Sequence, residues 1–202
     1  MLQNLLVLTL VVGLHFALIS PGCYTFGFME LSTAIKLLEK GVPQHNGKQV
    51  WLDLGAGKGL FTHALSTLLA AGSIVYALDT NEEALASIHA DPLVTLKKLR
   101  QNFVSDEIET EIVDGVLMAN AFHFVSDKVS CVQRLKKKIK SDGSIILVEY
   151  DSDTSNPWVP YPISFRNLVR FAETAGLTFI MKLEETPSLY GNGNIYSALL
   201  RF

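Results

Sequence analysis

Two carboxylates and three glycines are the residues of this chain best arranged for chemistry: Asp53, Gly55, Gly57, Gly59 and Asp79. The glycines stand at alternating positions directly after the run Val50-Trp51-Leu52-Asp53-Leu54. That run reads as a buried strand, and residues 60–71 read as a helix closed by Gly72. Glycine has no Cβ, so such a turn can take positive φ and let a ligand approach the backbone. The helix N-terminus then offers unpaired N–H groups to that ligand. The acid before the glycines selects which ligand is welcome. A carboxylate there repels a pyrophosphate and attracts an amine. Asp79 closes the next apolar run, Val75-Tyr76-Ala77-Leu78. A carboxylate about 20 residues beyond a glycine turn can accept both hydroxyls of a ribose. Alone, an acid in that place is as readily a cap for the next helix. Paired with the glycine turn, it points to a nucleoside that carries an amino-acid tail, which is S-adenosylmethionine.

The elements that must hold these residues follow from periodicity and punctuation. Residues 30–40 read as an amphipathic helix ended by Gly41, with Pro43 beyond it. Residues 42–48 are a polar connector. From Gln49 strands and helices alternate, which implies a parallel sheet. Strands are expected at 49–54, 73–78, 94–103, 113–119 and 144–149. Helices are expected at 60–71, at 82–89 with Asn81 as cap, at 127–140 with Ser126 as cap, and at 164–175 stopped by Gly176. Val129, Val132, Leu135 and Ile139 give the helix at 127–140 one apolar face, and Gly143 ends it. Its basic run, Arg134 and Lys136 to Lys138, reads as a solvated face with cations near the C-terminal end. Residues 150–162 hold three prolines and form a long loop. Residues 177–184 and 195–201 are strands with no helix between them, so they pair antiparallel. The expected fold is therefore α/β: a Rossmann-like, doubly wound, seven-stranded sheet, parallel except for its antiparallel last strand.

Here the sequence resembles a known family. Asp53-Leu54-Gly55-Ala56-Gly57-Lys58-Gly59 is similar to the first motif of class I S-adenosylmethionine-dependent methyltransferases. Asp79 matches the acid at the end of their second strand. The stretch from Asp114 to Val125 resembles their fourth-strand motif, with its aromatic- and His-containing turn Asn120-Ala121-Phe122-His123-Phe124. The resemblance runs over residues 49–202 and looks nearest to small methyltransferases of the ubiquinone-biosynthesis type. It implies S-adenosylmethionine as cofactor, with Asp53 holding the methionine amine directly or through water. Gly55, Ala56, Gly57 and Gly59 would form the loop under the cofactor. Asp79, with Thr80 beside it, would bind the ribose. The family often has an acid after strand three to accept from the adenine amino group. This chain departs from that pattern with Gln101-Asn102-Phe103. There Asn102 would accept and Phe103 would pack on the ring, and Asn120 would complete the site.

The sulfonium brings an activated methyl group, so the protein mainly has to align the acceptor and exclude water. A general base helps only a protonated acceptor. His123 is the catalytic candidate, because it follows the fourth strand at the carboxyl edge where open α/β sheets bind ligands. A structural or cofactor-packing histidine is the competing reading. Tyr150, Tyr161 and Tyr190 stand in loops near the same edge, either on the surface or lining an acceptor pocket.

The totals bound the remaining choices. The chain has 202 residues, 49% of them hydrophobic and 18% charged, with a formal net charge of −3. That suits one domain with a substantial core and gives no electrostatic case for nucleic-acid binding. Cys23 and Cys131 match no metal or redox spacing, so no metal is expected. Residues 1–28 carry no charged side chain, and residues 5–19 are almost continuously apolar. This segment reads either as a membrane anchor through residues 1–20 or as a packed helix, ahead of a methyltransferase domain at 29–202. It lacks the basic start of a signal peptide. The expected location is cytoplasmic, with the domain on the cytoplasmic side of any membrane. The expected partner is a small methyl acceptor of lipophilic character. Two rivals stand beside this reading. A nicotinamide-dependent oxidoreductase would want a different glycine spacing and no acid before it. A non-catalytic S-adenosylmethionine-binding module would keep the same residues.

Overall fold

The computed structural model describes residues 29–44, 47–189 and 193–202. In chain order the elements are α1 (Leu31–Glu39), β1 (Val50–Leu54), α2 (Leu60–Leu68), β2 (Ile74–Asp79), α3 (Glu82–Ser87), β3 (Thr95–Arg100) and β4 (Val113–Ala119). One turn of 3-10 helix (Phe122–Phe124) follows, then α4 (Lys128–Lys136), β5 (Ile139–Tyr150), α5 (Phe165–Thr174), β6 (Phe179–Pro187) and β7 (Asn194–Arg201). The strands make one sheet of seven in the order β3-β2-β1-β4-β5-β7-β6. Only β7 runs antiparallel, to β5 on one side and β6 on the other. This is the Rossmann-like sheet that the alternation and the terminal hairpin imply.

Period-two alternation splits the core between the two faces of the sheet. Trp51, Val75, Leu117, Ile146 and Leu199 pack with α1 and α2 residues such as Leu37, Leu38 and Leu65. Leu52, Leu54, Val116, Met118, Ile145 and Leu147 pack with α4 and α5 residues such as Leu135 and Leu168. Trp51 lies opposite Gly115 on β4, where an added Cβ would stand 2.5 Å from the indole ring. The large ring is admitted because its cross-strand neighbour has no side chain.

Three of the differences from the expected boundaries have a visible local cause. First, α2 ends at Leu68 instead of residue 71. Ser66 and Thr67 turn their hydroxyls back onto the carbonyls of His63 and Ala64, and Leu69 is already extended. Such back-bonding competes with helical propagation. Second, α4 is capped by Asp127, whose side chain accepts from Ser130 N, and not by Ser126. Third, α4 stops at Lys136, so Ile139 belongs to β5, where it pairs with Val113. Ile139 follows Leu135 by four residues, a spacing that fits a helix face as well as a strand start. Gly143 therefore lies inside β5, at an irregularity in the β4–β5 pairing, and does not end a helix. An added Cβ there would sit 2.6 Å from Asp114 O.

The apolar segment 1–28 with its anchor-or-helix readings, Cys23, and Tyr190 lie outside the described residues. Among the described residues no helix is long and apolar enough to cross a membrane.

Candidate functional site

The turn after β1 is pinned to β2 before any side chain acts. Gly55 N and Ala56 N both donate to Leu78 O at 2.9 Å. Gly55, Gly57 and Gly59 all take positive φ, at 75°, 54° and 85°. The three are not equivalent. An added Cβ would lie 2.7 Å from Ala121 Cβ at Gly55 and 2.5 Å from Ile88 Cγ2 at Gly59. At Gly57 it would meet nothing within 4 Å. Gly57 alone faces open space, and Gly59 is the N-cap of α2 with no side-chain capping bond. The first turn of α2 keeps its donors for another partner.

Asp79 ends β2 and uses both carboxylate oxygens. Oδ2 accepts from Gly57 N and Oδ1 from Asn81 N, each at 2.8 Å. One side chain thus ties the glycine turn to the start of α3, whose own cap is Asn81. Each oxygen keeps a second lone pair for a further donor. Asp53, on β1, is 1% exposed and accepts from Thr62 Oγ1 at 2.5 Å. Burial pushes its carboxyl up to about 7; the Thr62 hydrogen bond opposes this and the nearby Asp79 charge adds to it.

Six of the residues expected from the sequence line one cleft: Gly55, Asp79, Thr80, Asn102, Phe103 and Asn120. Its volume is about 440 Å³, within the range of roughly 300–1,000 Å³ usual for small-molecule sites. Asp53, Ala56, Gly57, Gly59 and His123 are not among its lining residues. Asn102 Oδ1 already accepts from Val104 N at 3.0 Å, which orders the loop after β3. Asn120 is held at φ 51°, a rare conformation for a residue with a side chain. Its Oδ1 and the Oε1 of Gln101 are buried and have no hydrogen-bond partner among the described residues. Two unused acceptors in one cleft are the arrangement expected where a ligand brings donors.

His123 stands just outside the cleft, in the turn after β4. It is 3% exposed, and its Nδ1 lies 2.7 Å from Glu149 Oε2. Its backbone N donates to the other oxygen of Glu149 at 3.2 Å. Gln101, Ala121, Phe124, Thr62 and Glu149 were missed by reasoning from sequence. Glu149 left one signal: an acid at the carboxyl end of a parallel strand.

Fold and cleft together define an open α/β domain with a cleft of small-molecule size beside the glycine turn. Residues 52–147 match the family described as "Methyltransferase domain". A Leishmania major S-adenosylmethionine-dependent methyltransferase is similar in structure, with TM-score 0.65 and 18% identity over 84% of this chain and 71% of that one. One from Thermotoga maritima gives TM-score 0.61 and 14% identity, over 85% and 88%. Magnesium protoporphyrin IX methyltransferase from Synechocystis, solved with bound S-adenosylmethionine, gives TM-score 0.58 and 14% identity, over 85% and 77%. No curated protein matches the chain by sequence. Residues 52–147 thus match a methyltransferase domain on the fold shared with these structures, and S-adenosylmethionine is the cofactor that the sequence leads one to expect. The match is to the domain and names no ubiquinone-biosynthesis subgroup.

The residues present fit that cofactor. Open space above Gly57 admits it, the unused acceptors of Asn120 and Gln101 suit its donors, and Asp79 has lone pairs to spare. The nicotinamide and non-catalytic readings are not favoured by these findings.

Proposed function

We propose that this protein transfers a methyl group from S-adenosylmethionine to a small acceptor of apolar, aromatic character. The observation that carries the reading is the single cleft formed by Gly55, Asp79, Thr80, Asn102, Phe103 and Asn120. In it Asp79 would accept from the ribose hydroxyls while keeping the glycine turn in place. Phe103 would flank the adenine, and Asn102 and Asn120 would offer polar groups to the base and the tail. Asp53 would answer the ammonium of the methionine part. When bound, the cofactor supplies the activated methyl group. What remains for the protein is to hold the acceptor in line and exclude water. Phe124, 52% exposed at the cleft, and Trp158 and Tyr161, 78% and 48% exposed in the loop after β5, support an aromatic acceptor. The test is calorimetry with S-adenosylmethionine and with its demethylated product, followed by an acceptor screen. Micromolar binding of both is expected. Failure of both to bind would remove the reading.

A further inference from the structure

We infer that Glu149 positions His123 as a base toward the acceptor, and that the acceptor is a neutral, planar hydroxyl compound. The inference rests on the proposed function and names the substrate class of that site. Both oxygens of Glu149 serve one residue: Oε1 takes the backbone N–H of His123 and Oε2 faces Nδ1 at 2.7 Å. The two side chains are 4% and 1% exposed. An ionised carboxylate only accepts, so Nδ1 must carry the hydrogen. In the neutral ring Nε2 is then the basic nitrogen. Among the described residues Nε2 has no hydrogen-bond partner. The carboxylate behind the ring holds this tautomer and fixes the direction of Nε2. Two other ionisable groups surround the pair. Lys128 at the start of α4 feels the charge of Glu149, and its Nζ is held by the carbonyls of Val125 and Tyr161. Tyr196 on β7 pairs in register with Glu149 and donates to Ile163 O.

The ring itself lines neither of two neighbouring spaces, but it packs near a residue of each. Its centroid is 4.4 Å from that of Phe124, which lines the cofactor cleft. It is 6.2 Å from that of Tyr150, which lines a second cavity of about 770 Å³. That cavity has Tyr150, Trp158 and Val159 as apolar surface, with Asn156 and Asn194 among its polar groups. No Lys or Arg is among its described lining residues, so an anionic acceptor finds no partner there. Its one carboxylate, Asp151, accepts from Phe165 N and lies 3.7 Å from Lys182 Nζ. A cationic acceptor would compete with a lysine for it. A neutral acceptor suits the cavity, and a buried base suits an acceptor that must lose a proton. The hydroxyl gives its proton to Nε2 as its oxygen bonds the methyl carbon. The carbon–sulfur bond breaks with its electron pair on sulfur, and the proton passes from Nε2 to water.

The first test needs no turnover. Nitrogen NMR of labelled histidine should show wild-type His123 as the Nδ1–H tautomer, and Glu149→Gln should shift it to Nε2–H. Affinity for S-adenosylmethionine by calorimetry should stay within about twofold in His123→Gln and Glu149→Gln, each checked for folding by its melting curve. With 2-naphthol as probe, kcat should fall about 10²- to 10⁴-fold in His123→Gln, with KM little changed and the acidic limb of the pH profile lost. Binding of 2-naphthol should quench Trp158 fluorescence, and Trp158→Phe should remove the signal. An Nε2–H tautomer in the wild type, wild-type transfer by His123→Gln, or methylation of 2-naphthylamine but not 2-naphthol would overturn the inference. Loss of cofactor binding by the wild type would instead overturn the functional reading beneath it.

Discussion

Asp53 is a carboxyl group with almost no water around it, so ionising it in the folded protein is costly. Burial raises its pKa from the ordinary 3.8 to about 7, so the folded protein holds the proton more tightly than the unfolded chain does. The stability this lends is full below the unfolded value near 4 and is lost as pH rises through about 7. The cofactor-free protein should melt lower at pH 8 than at pH 5, by an amount equivalent to roughly 3 kcal/mol at most. Asp53→Asn should flatten that dependence, and melting curves at the two pH values check it. A cationic amine beside Asp53 favours the ionised form, so cofactor affinity should rise with pH through neutrality in the wild type and not in Asp53→Asn. Asp79 makes a different forecast, because both its oxygens already hold backbone N–H groups. Asp79→Ala removes the tie to Gly57 together with the ribose acceptor and should weaken S-adenosylmethionine binding by ~1.5–3 kcal/mol. Asp79→Asn keeps one oxygen and should cost less; wild-type affinity in both, by calorimetry, would leave Asp79 as only a tie between loop and helix. Asp53, Asp79 and the glycines were legible in the sequence because strand-end acids and a glycine turn sit at fixed offsets along one chain. Thr62 and Glu149 were not. Glu149 meets His123 only because β4 and β5 are neighbours, and no local pattern says which strands those are.

The glycine turn shows how an element divides labour among residues of one type. Gly57→Val places a side chain in open space, at a φ of 54° that a β-branched residue resists. The strain is about 1–2 kcal/mol, which a domain of this size should survive, while the side chain fills cofactor space. Loss of S-adenosylmethionine binding with a largely retained circular dichroism spectrum is expected. Gly59→Val should behave in the opposite order. Its Cβ meets Ile88 at 2.5 Å, so the seam between α2 and the end of α3 opens and the melting temperature falls first. Equal affinity in a folded Gly57→Val protein would show that the cofactor lies elsewhere. The strands were read from sequence within a few residues, because their apolar runs are bounded by glycine, asparagine or aspartate. The loss came where two periodicities overlap. Ile139 continues the apolar face of α4 and also begins β5, and only pairing with Val113 decides between them.

Over the whole molecule, the terminal hairpin told most about the sheet. Two strands without a helix between them must pair antiparallel, and the structure inserts β7 between β5 and β6. Six of the seven strands then run the same way, so their carboxyl ends share one edge. Cleft, His123 and second cavity all lie along that edge. Strand order was not legible, because it is set by which faces the helices cover. Those faces also frame the question of the apolar segment 1–28. Residues 29–202 bring α1 and α2 to one face of the sheet and α4 and α5 to the other, with an apolar core on each side. A protein that begins at Thr25 should therefore unfold cooperatively, stay more soluble than the full chain, and bind S-adenosylmethionine with unchanged affinity. Urea unfolding and calorimetry on both lengths make the comparison. This is the outcome the anchor reading requires, since an anchor adds nothing to the core. Aggregation of the shorter protein, or a loss of several kcal/mol in urea, would mean that the segment covers apolar surface which the domain cannot expose alone.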